Sequence, residues 1–145
     1  MIIQRATIND LDSLIELFDL YRVFYEQTSD MEAAREFLKA RLINEESVVF
    51  FAKEGNHPLG FVQLFPSFSS VSMKRSWVLN DLYVKEQTRG KGIGEELIKT
   101  AIDFAKETGA KGVLLETTKE NKTAQRLYEK IGFIRESNYF YYFSI

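Results

Sequence analysis

Apolar residues at Leu11, Leu14, Ile15, Phe18, Tyr21 and Phe24 recur every three or four positions. That spacing marks one face of an α-helix and predicts a helix over roughly 9–26. Thr7, Asn9 and Asp10 before it are good helix-capping types. A second stripe, Met31, Ala34, Phe37, Leu38 and Leu42, follows Ser29 or Asp30 as cap, and residues 44–47 form a polar break. The period then changes. Val48, Val49, Phe50, Phe51 and Ala52 read as a buried strand, and Glu54, Gly55, Asn56, His57 and Pro58 supply turn chemistry. Strands over 48–53 and about 59–66 therefore pair as an antiparallel hairpin. A small polar loop spans 67–72, a long strand about 74–85, and a glycine-rich turn 87–94.

Beyond that turn, Ile93, Leu97, Ala101 and Ala105 repeat every four positions, and Gly109 follows in the usual C-terminal role. A strand over 113–116 comes next, then a helix over 121–131 with Ala124, Leu127, Tyr128 and Ile131 on one face. Two aromatic-rich strands, 133–136 and 139–144, close the chain. With a short first strand at 2–5, the order is βααβββαβαββ. This is an α/β (α+β) class with a mixed sheet bearing helices.

The length of 145 residues fits one domain, 1–145, at about 100–200 residues per domain. There is no Cys, which removes disulfides, zinc–thiolate sites and thiol nucleophiles and suits a reducing cytoplasm. A lone histidine, His57, sits in a turn, so a multi-histidine metal site is excluded and no metal is expected. The first residues lack the apolar core of a signal peptide. No stretch approaches the ~18 apolar residues of a membrane span. A net charge of −2 argues against non-specific nucleic-acid binding. That small net charge conceals a split: residues 1–72 carry 6 basic against 11 acidic side chains, residues 73–145 carry 13 against 10.

Arg89, Gly90, Lys91, Gly92, Ile93 and Gly94 follow a strand and open a helix. Helix N-termini offer unpaired N–H groups and about half a positive charge, and glycines let a phosphate approach the backbone. The spacing fits neither a P-loop nor the dinucleotide fingerprint. Val84-x4-Arg89-Gly90-x-Gly92-Ile93-Gly94-x2-Leu97 resembles motif A of the GCN5-related N-acetyltransferase (GNAT) superfamily, as does Gln87-x2-Gly90-x-Gly92 in the alternative register. Asn121-x2-Ala124-x2-Leu127-Tyr128-x-Lys130-x-Gly132-Phe133 is similar to its motif B. The closest likeness is to the histone/polyamine acetyltransferase-like branch.

The resemblance implies a six- to seven-stranded, mostly antiparallel mixed sheet with helices on both faces, and acetyl-coenzyme A as acetyl donor. It implies that main chain from Arg89 to Gly94 holds the diphosphate, with Gln87 and Lys91 in the same turn. Leu82, Tyr83 and Val84 pair with the pantetheine arm in a V-shaped slot, and Asn121 hydrogen-bonds that arm. Tyr128 is implied as the acid for the departing sulfur, and Asp81, beside Asn80, as base or amine-binding carboxylate. In polyamine enzymes the position of Asn80 is often Glu, so a water relay is an alternative. Glu116 is a weaker candidate for the base.

Tyr21, Phe24, Tyr25 and Glu26 lie in an acidic, aromatic stretch suited to a cationic amine. The acceptor end is expected from the first two helices and the loop 65–72. The function so read is direct acetyl transfer to a primary amine of a small cationic acceptor, polyamine or lysine-like. Alternatives are a protein-lysine acetyltransferase, a non-catalytic acyl-coenzyme A sensor of the same fold, and an unrelated phosphate-binding regulator. The aromatic last strand, Tyr139 to Phe143, suggests a homodimer, since exposed edges invite pairing.

Overall fold

The computed structural model describes residues 1–145. Its sheet is built from β1 (Ile2–Arg5), β2 (Val48–Glu54), β3 (His57–Ser69), β4 (Lys74–Val84) and β5 (Val113–Leu114), in that spatial order. Four strands run antiparallel to their neighbours, and β5 joins β4 in parallel. The helices are α1 (Leu11–Phe24), α2 (Met31–Ile43), α3 (Ile93–Glu107) and α4 (Lys122–Ile131), with 3₁₀ turns at Ile8–Asp10 and Glu86–Thr88. Thr7 and Asp10 form a capping box before α1, and Asp30 caps α2 by accepting from the Ala33 N–H.

Strand alternation sends side chains to two cores. Val48, Phe50, Val62, Leu64, Trp77 and Leu79 pack with Ile93, Leu97, Ile98 and Ala101 of α3. Val49, Phe51 and Phe61 pack on the other face with Leu14, Leu17 and Phe18 of α1 and Leu38 of α2. Helices thus cover both faces, as the sequence reading expects. Lys130 bridges to Glu95 at 3.0 Å, tying α4 to α3 and holding the Glu95 carboxyl below its usual range.

Two expectations are corrected. The sheet has five strands, not six or seven, and the order ends at α4, because 133–136 and 139–144 form no strands. Beyond Phe133 no main-chain group hydrogen-bonds to the rest of the chain. β5 is only two residues long, shorter than the expected 113–116, and offers such a strand little ledge. The second correction concerns the loop 65–72. The β3–β4 hairpin keeps its pairing out to Ser69 and Lys74, which puts the loop at the end of β4 away from Asp81.

Candidate active site

The site begins with a slip in strand register. In β4, Trp77 and Leu79 face α3, and strict alternation would send Asp81 to the same side. Instead Gln63 pairs with Asp81 while Leu64 pairs with Leu79, leaving Asn80 as the extra residue of a bulge. The bulge reverses the alternation. Leu82 and Val84 now pack toward α3, and Tyr83 packs with the α1 core. Asp81 consequently joins Gln63 and Tyr21 on the α1 face.

Asp81 is 4% exposed. Gln63 Nε2 donates to its Oδ2, and Asn80 Nδ2 donates to its Oδ1 at 2.9 Å. The Tyr21 hydroxyl donates to the Asn80 carbonyl at 3.4 Å and faces the carboxyl as well. Burial pushes the Asp81 pKa above the ordinary carboxylate range, against these hydrogen bonds, which pull it down. Burial, and then the Asp81 charge, raise the Tyr21 phenol far above its usual value. Gln63, fully buried, is the site residue that sequence reading missed. Its signal was a polar residue inside the apolar run Phe61, Val62, Leu64.

Around this carboxyl stands an aromatic wall. Tyr21 meets Tyr25 at 5.1 Å and Tyr83 at 6.3 Å between ring centroids, and Phe24 meets Tyr25 at 5.3 Å. The Arg89 guanidinium lies over Phe24 at 5.3 Å and Tyr83 at 5.5 Å, and its Nε donates to the Val84 carbonyl at 2.8 Å. Tyr128, half-buried on α4, packs against Phe133, and burial followed by the nearby Tyr25 phenol raises its pKa. Tyr21, Phe24, Tyr25, Asp81 and Tyr128 therefore converge. Glu26 does not: it is exposed past the end of α1 and makes no side-chain hydrogen bond. Glu116 also faces solvent.

Two backbone features adjoin the wall. β5 pairs with β4 only at Trp77 and Val78, so the β4 edge from Leu79 to Val84 is open on that side. Next to it, the N–H groups of Gly90 through Glu95 have no acceptor within the chain. Gly90 and Gly92 both adopt φ of +81°, which curls this run of donors inward. The Arg89 N–H, by contrast, is taken by the Glu86 carbonyl. Gln87 and Lys91 are exposed beside the turn, and Asn121 Oδ1 caps α4 by accepting from the Ala124 N–H. Free N–H groups at a helix start suit a diphosphate, and an open strand edge suits an amide-bearing arm.

Residues 12–133 match the acetyltransferase (GNAT) family. The chain belongs to that family. It is 45% identical over 142 residues to the uncharacterized N-acetyltransferase YhfO of Bacillus subtilis, covering 98% of this chain and 95% of that protein. It is 35% identical over 108 residues to a probable acetyltransferase of Haemophilus influenzae, 74% of each. Among solved structures, a probable acetyltransferase superposes with a TM-score of 0.93 at 42% identity, covering 100% of this chain and 99% of that one. An aminoglycoside acetyltransferase from a soil metagenome follows with a TM-score of 0.88 at 25% identity, covering 99% and 95%. GNAT enzymes use acetyl-coenzyme A, and the donor run and open edge are the features here that fit it.

Proposed function

We propose that this GNAT enzyme acetylates the primary amine of a small cationic acceptor, polyamine or lysine-like, by direct transfer with both substrates bound together. The observation that carries the reading is the buried Asp81 carboxyl behind an aromatic wall, at the mouth of the open β4 edge. Aromatic faces and a carboxylate attract ammonium groups. The aminoglycoside acetyltransferase named above supports the reading, since aminoglycosides are polycationic amines.

When bound, acetyl-coenzyme A supplies the acetyl group activated as a thioester. Gly90 through Glu95 hold its diphosphate, and Leu82 to Val84 with Asn121 hold its arm. Gln87 and Lys91 flank the diphosphate, and Lys91 adds a cation to it. An amine of pKa about 10.4 arrives protonated and cannot attack. Asp81 holds the ammonium and accepts its proton, directly or through a water oriented by Asn80. The Tyr128 hydroxyl gives a proton to the departing sulfur, and a high phenol pKa keeps it protonated for that task. A main-chain N–H of Leu82 or Tyr83 donates to the carbonyl oxygen.

Thiol release from acetyl-coenzyme A, measured with polyamines, lysine analogues, aminoglycosides and histone-tail peptides, tests the assignment. Turnover with a small amine supports it. Turnover with peptides alone overturns the small-acceptor reading in favour of protein lysine. Tight cofactor binding without turnover on any amine would favour a sensor.

The same reading has the chain working in a reducing cytoplasm, without metal, nucleic acid or membrane, as a homodimer. The dimer is supported by the segment after Phe133. Ile134, Tyr139, Phe140, Tyr141, Tyr142 and Phe143 are each at least 77% exposed there. Five aromatics at about 150–250 Å² each approach what a stable interface needs from one partner. Because the chain has no Cys, Leu114→Cys combined in turn with Tyr139→Cys, Tyr141→Cys or Phe143→Cys gives an unambiguous cross-link. A covalent dimer supports packing of the aromatic segment against a second copy, beside its β5. A covalent monomer, or none, overturns it.

A further inference from the structure

Gln63 is a costly residue for its position. Its neighbours along β3, Phe61, Val62 and Leu64, are buried and apolar, and Gln63 itself has 0% of its surface exposed. Its Oε1 has no hydrogen-bond partner. A buried polar atom left unpaired lowers stability, and an apolar side chain of similar volume would fill the same space without that penalty.

What the glutamine provides is one donor. Its Nε2 bonds Asp81 Oδ2. The β4 bulge makes this bond possible, because it pairs Gln63 with Asp81 across the two strands. A group with no exposed surface approaches the carboxyl from the interior, so Oδ2 is the inner oxygen. Oδ1 is held by Asn80 Nδ2 at 2.9 Å, and Asn80 is exposed, so Oδ1 is the outer one. Tyr21 is the titratable side chain that faces the carboxyl from α1, while Gln63 on β3 and Asn80 on β4 are neutral. Asp81 joins no ion pair. Tyr25, just past α1, and Tyr128 on α4 act on Tyr21 instead. Burial raises the carboxyl's pKa, and the Gln63 hydrogen bond is the largest of three that pull it back, ahead of Asn80 and Tyr21.

We propose that Gln63 is a positioning residue for acetyl transfer: it anchors the inner oxygen of Asp81, so that the outer oxygen is presented to the ammonium group of the acceptor. Having no exposed surface, it touches neither substrate and acts only through Asp81. The inference rests on the reading of Asp81 as the group that receives the ammonium proton. In that step an N–H bond of the ammonium breaks, an O–H bond forms at Oδ1, and the electron pair stays on the nitrogen that attacks. Oδ2 keeps the Gln63 donor before and after.

Gln63→Met keeps the length of the side chain and removes the donor. The full-length protein, labelled with ¹³C at its aspartate and glutamate carboxyls, is titrated by NMR without substrate. In Gln63→Met the Asp81 midpoint should rise by about one pH unit, since the ionised form has lost a hydrogen bond. The acid limb of kcat, followed by thiol release with a small amine that turns over, should rise with it, and the KM for acetyl-coenzyme A should stay. Placed on Asp81→Asn, Gln63→Met should change turnover no further. Gln63→Glu keeps the shape and donates only while protonated, so the two carboxyls should titrate in two separated steps, the upper one above the wild-type midpoint. An unmoved Asp81 midpoint in Gln63→Met overturns the proposal, and a kcat lowered equally at every pH alongside it marks packing alone. Independent, ordinary midpoints in Gln63→Glu overturn it as well. A moved midpoint with an unmoved limb supports the anchoring and overturns Asp81 as the base.

Discussion

In the proposed reaction, Tyr128 and Asp81 carry the chemistry at the scale of single residues. Tyr128→Phe removes one hydroxyl and little packing, so the melting temperature and cofactor affinity should stay near wild type. Steady-state kcat should fall about 10²-fold, the typical worth of one positioned acid. Full activity would dismiss the acid role. For Asp81, the pH dependence has a definite sign. Folding raises its pKa, so the native state holds a proton that the unfolded chain has released. Ionised Asp81 therefore costs stability above the ordinary aspartate range, and that cost disappears as the pH falls below about 4. Asp81→Asn should melt higher relative to wild type at pH 8 than at pH 4, while losing most turnover. The orphaned Gln63 Oε1 can accept from the new amide. Thermal melts across pH check the first point, and a relative melting shift of the opposite sign would contradict it.

Among the elements, the β4 bulge and the turn after it decide what the residues can reach. Gly60 shows how tightly β3 and β4 approach here: an added Cβ would lie 2.6 Å from the Tyr83 carbonyl oxygen. Gly60→Ala must push these strands apart and should cost about 1–3 kcal/mol in urea denaturation. It should also raise the KM for acetyl-coenzyme A, because the displaced segment is the open edge. Leu97→Ala, in the centre of the α3 core and fully buried, should cost about 2–5 kcal/mol without changing that KM. The helices were legible from their three- and four-residue apolar spacing, and β2 from a continuous apolar run bounded by turn residues. The bulge was also written in the sequence, as the step of three from Leu79 to Leu82 where alternation demands two. Gln63 was harder to see, since a lone glutamine in a buried strand gains its meaning only from the Asp81 that the bulge turns toward it.

For the whole molecule, main-chain hydrogen bonding ends at Phe133 and an aromatic segment follows it. The aromatic pattern of 139–144 predicts a strand that the chain does not form. Propensity reports what a segment favours, whereas pairing requires an edge, and β5 offers only two residues. Light scattering should therefore give about twice the 16.8 kDa chain mass, and a chain ending at Ser137 should run as a monomer. A monomeric full-length protein would remove the dimer. The motif around Gly90 and Gly92 was legible for a different reason: glycines two apart between a strand and a helix allow the positive φ that curls the free N–H groups of the helix start inward. The most direct test of the account is the amide spectrum of the ¹⁵N-labelled protein titrated with coenzyme A. The largest shifts should fall on Gly90 through Glu95, with smaller ones along Leu82 to Val84. Shifts centred elsewhere, with the Gly90–Glu95 amides unmoved, would contradict it.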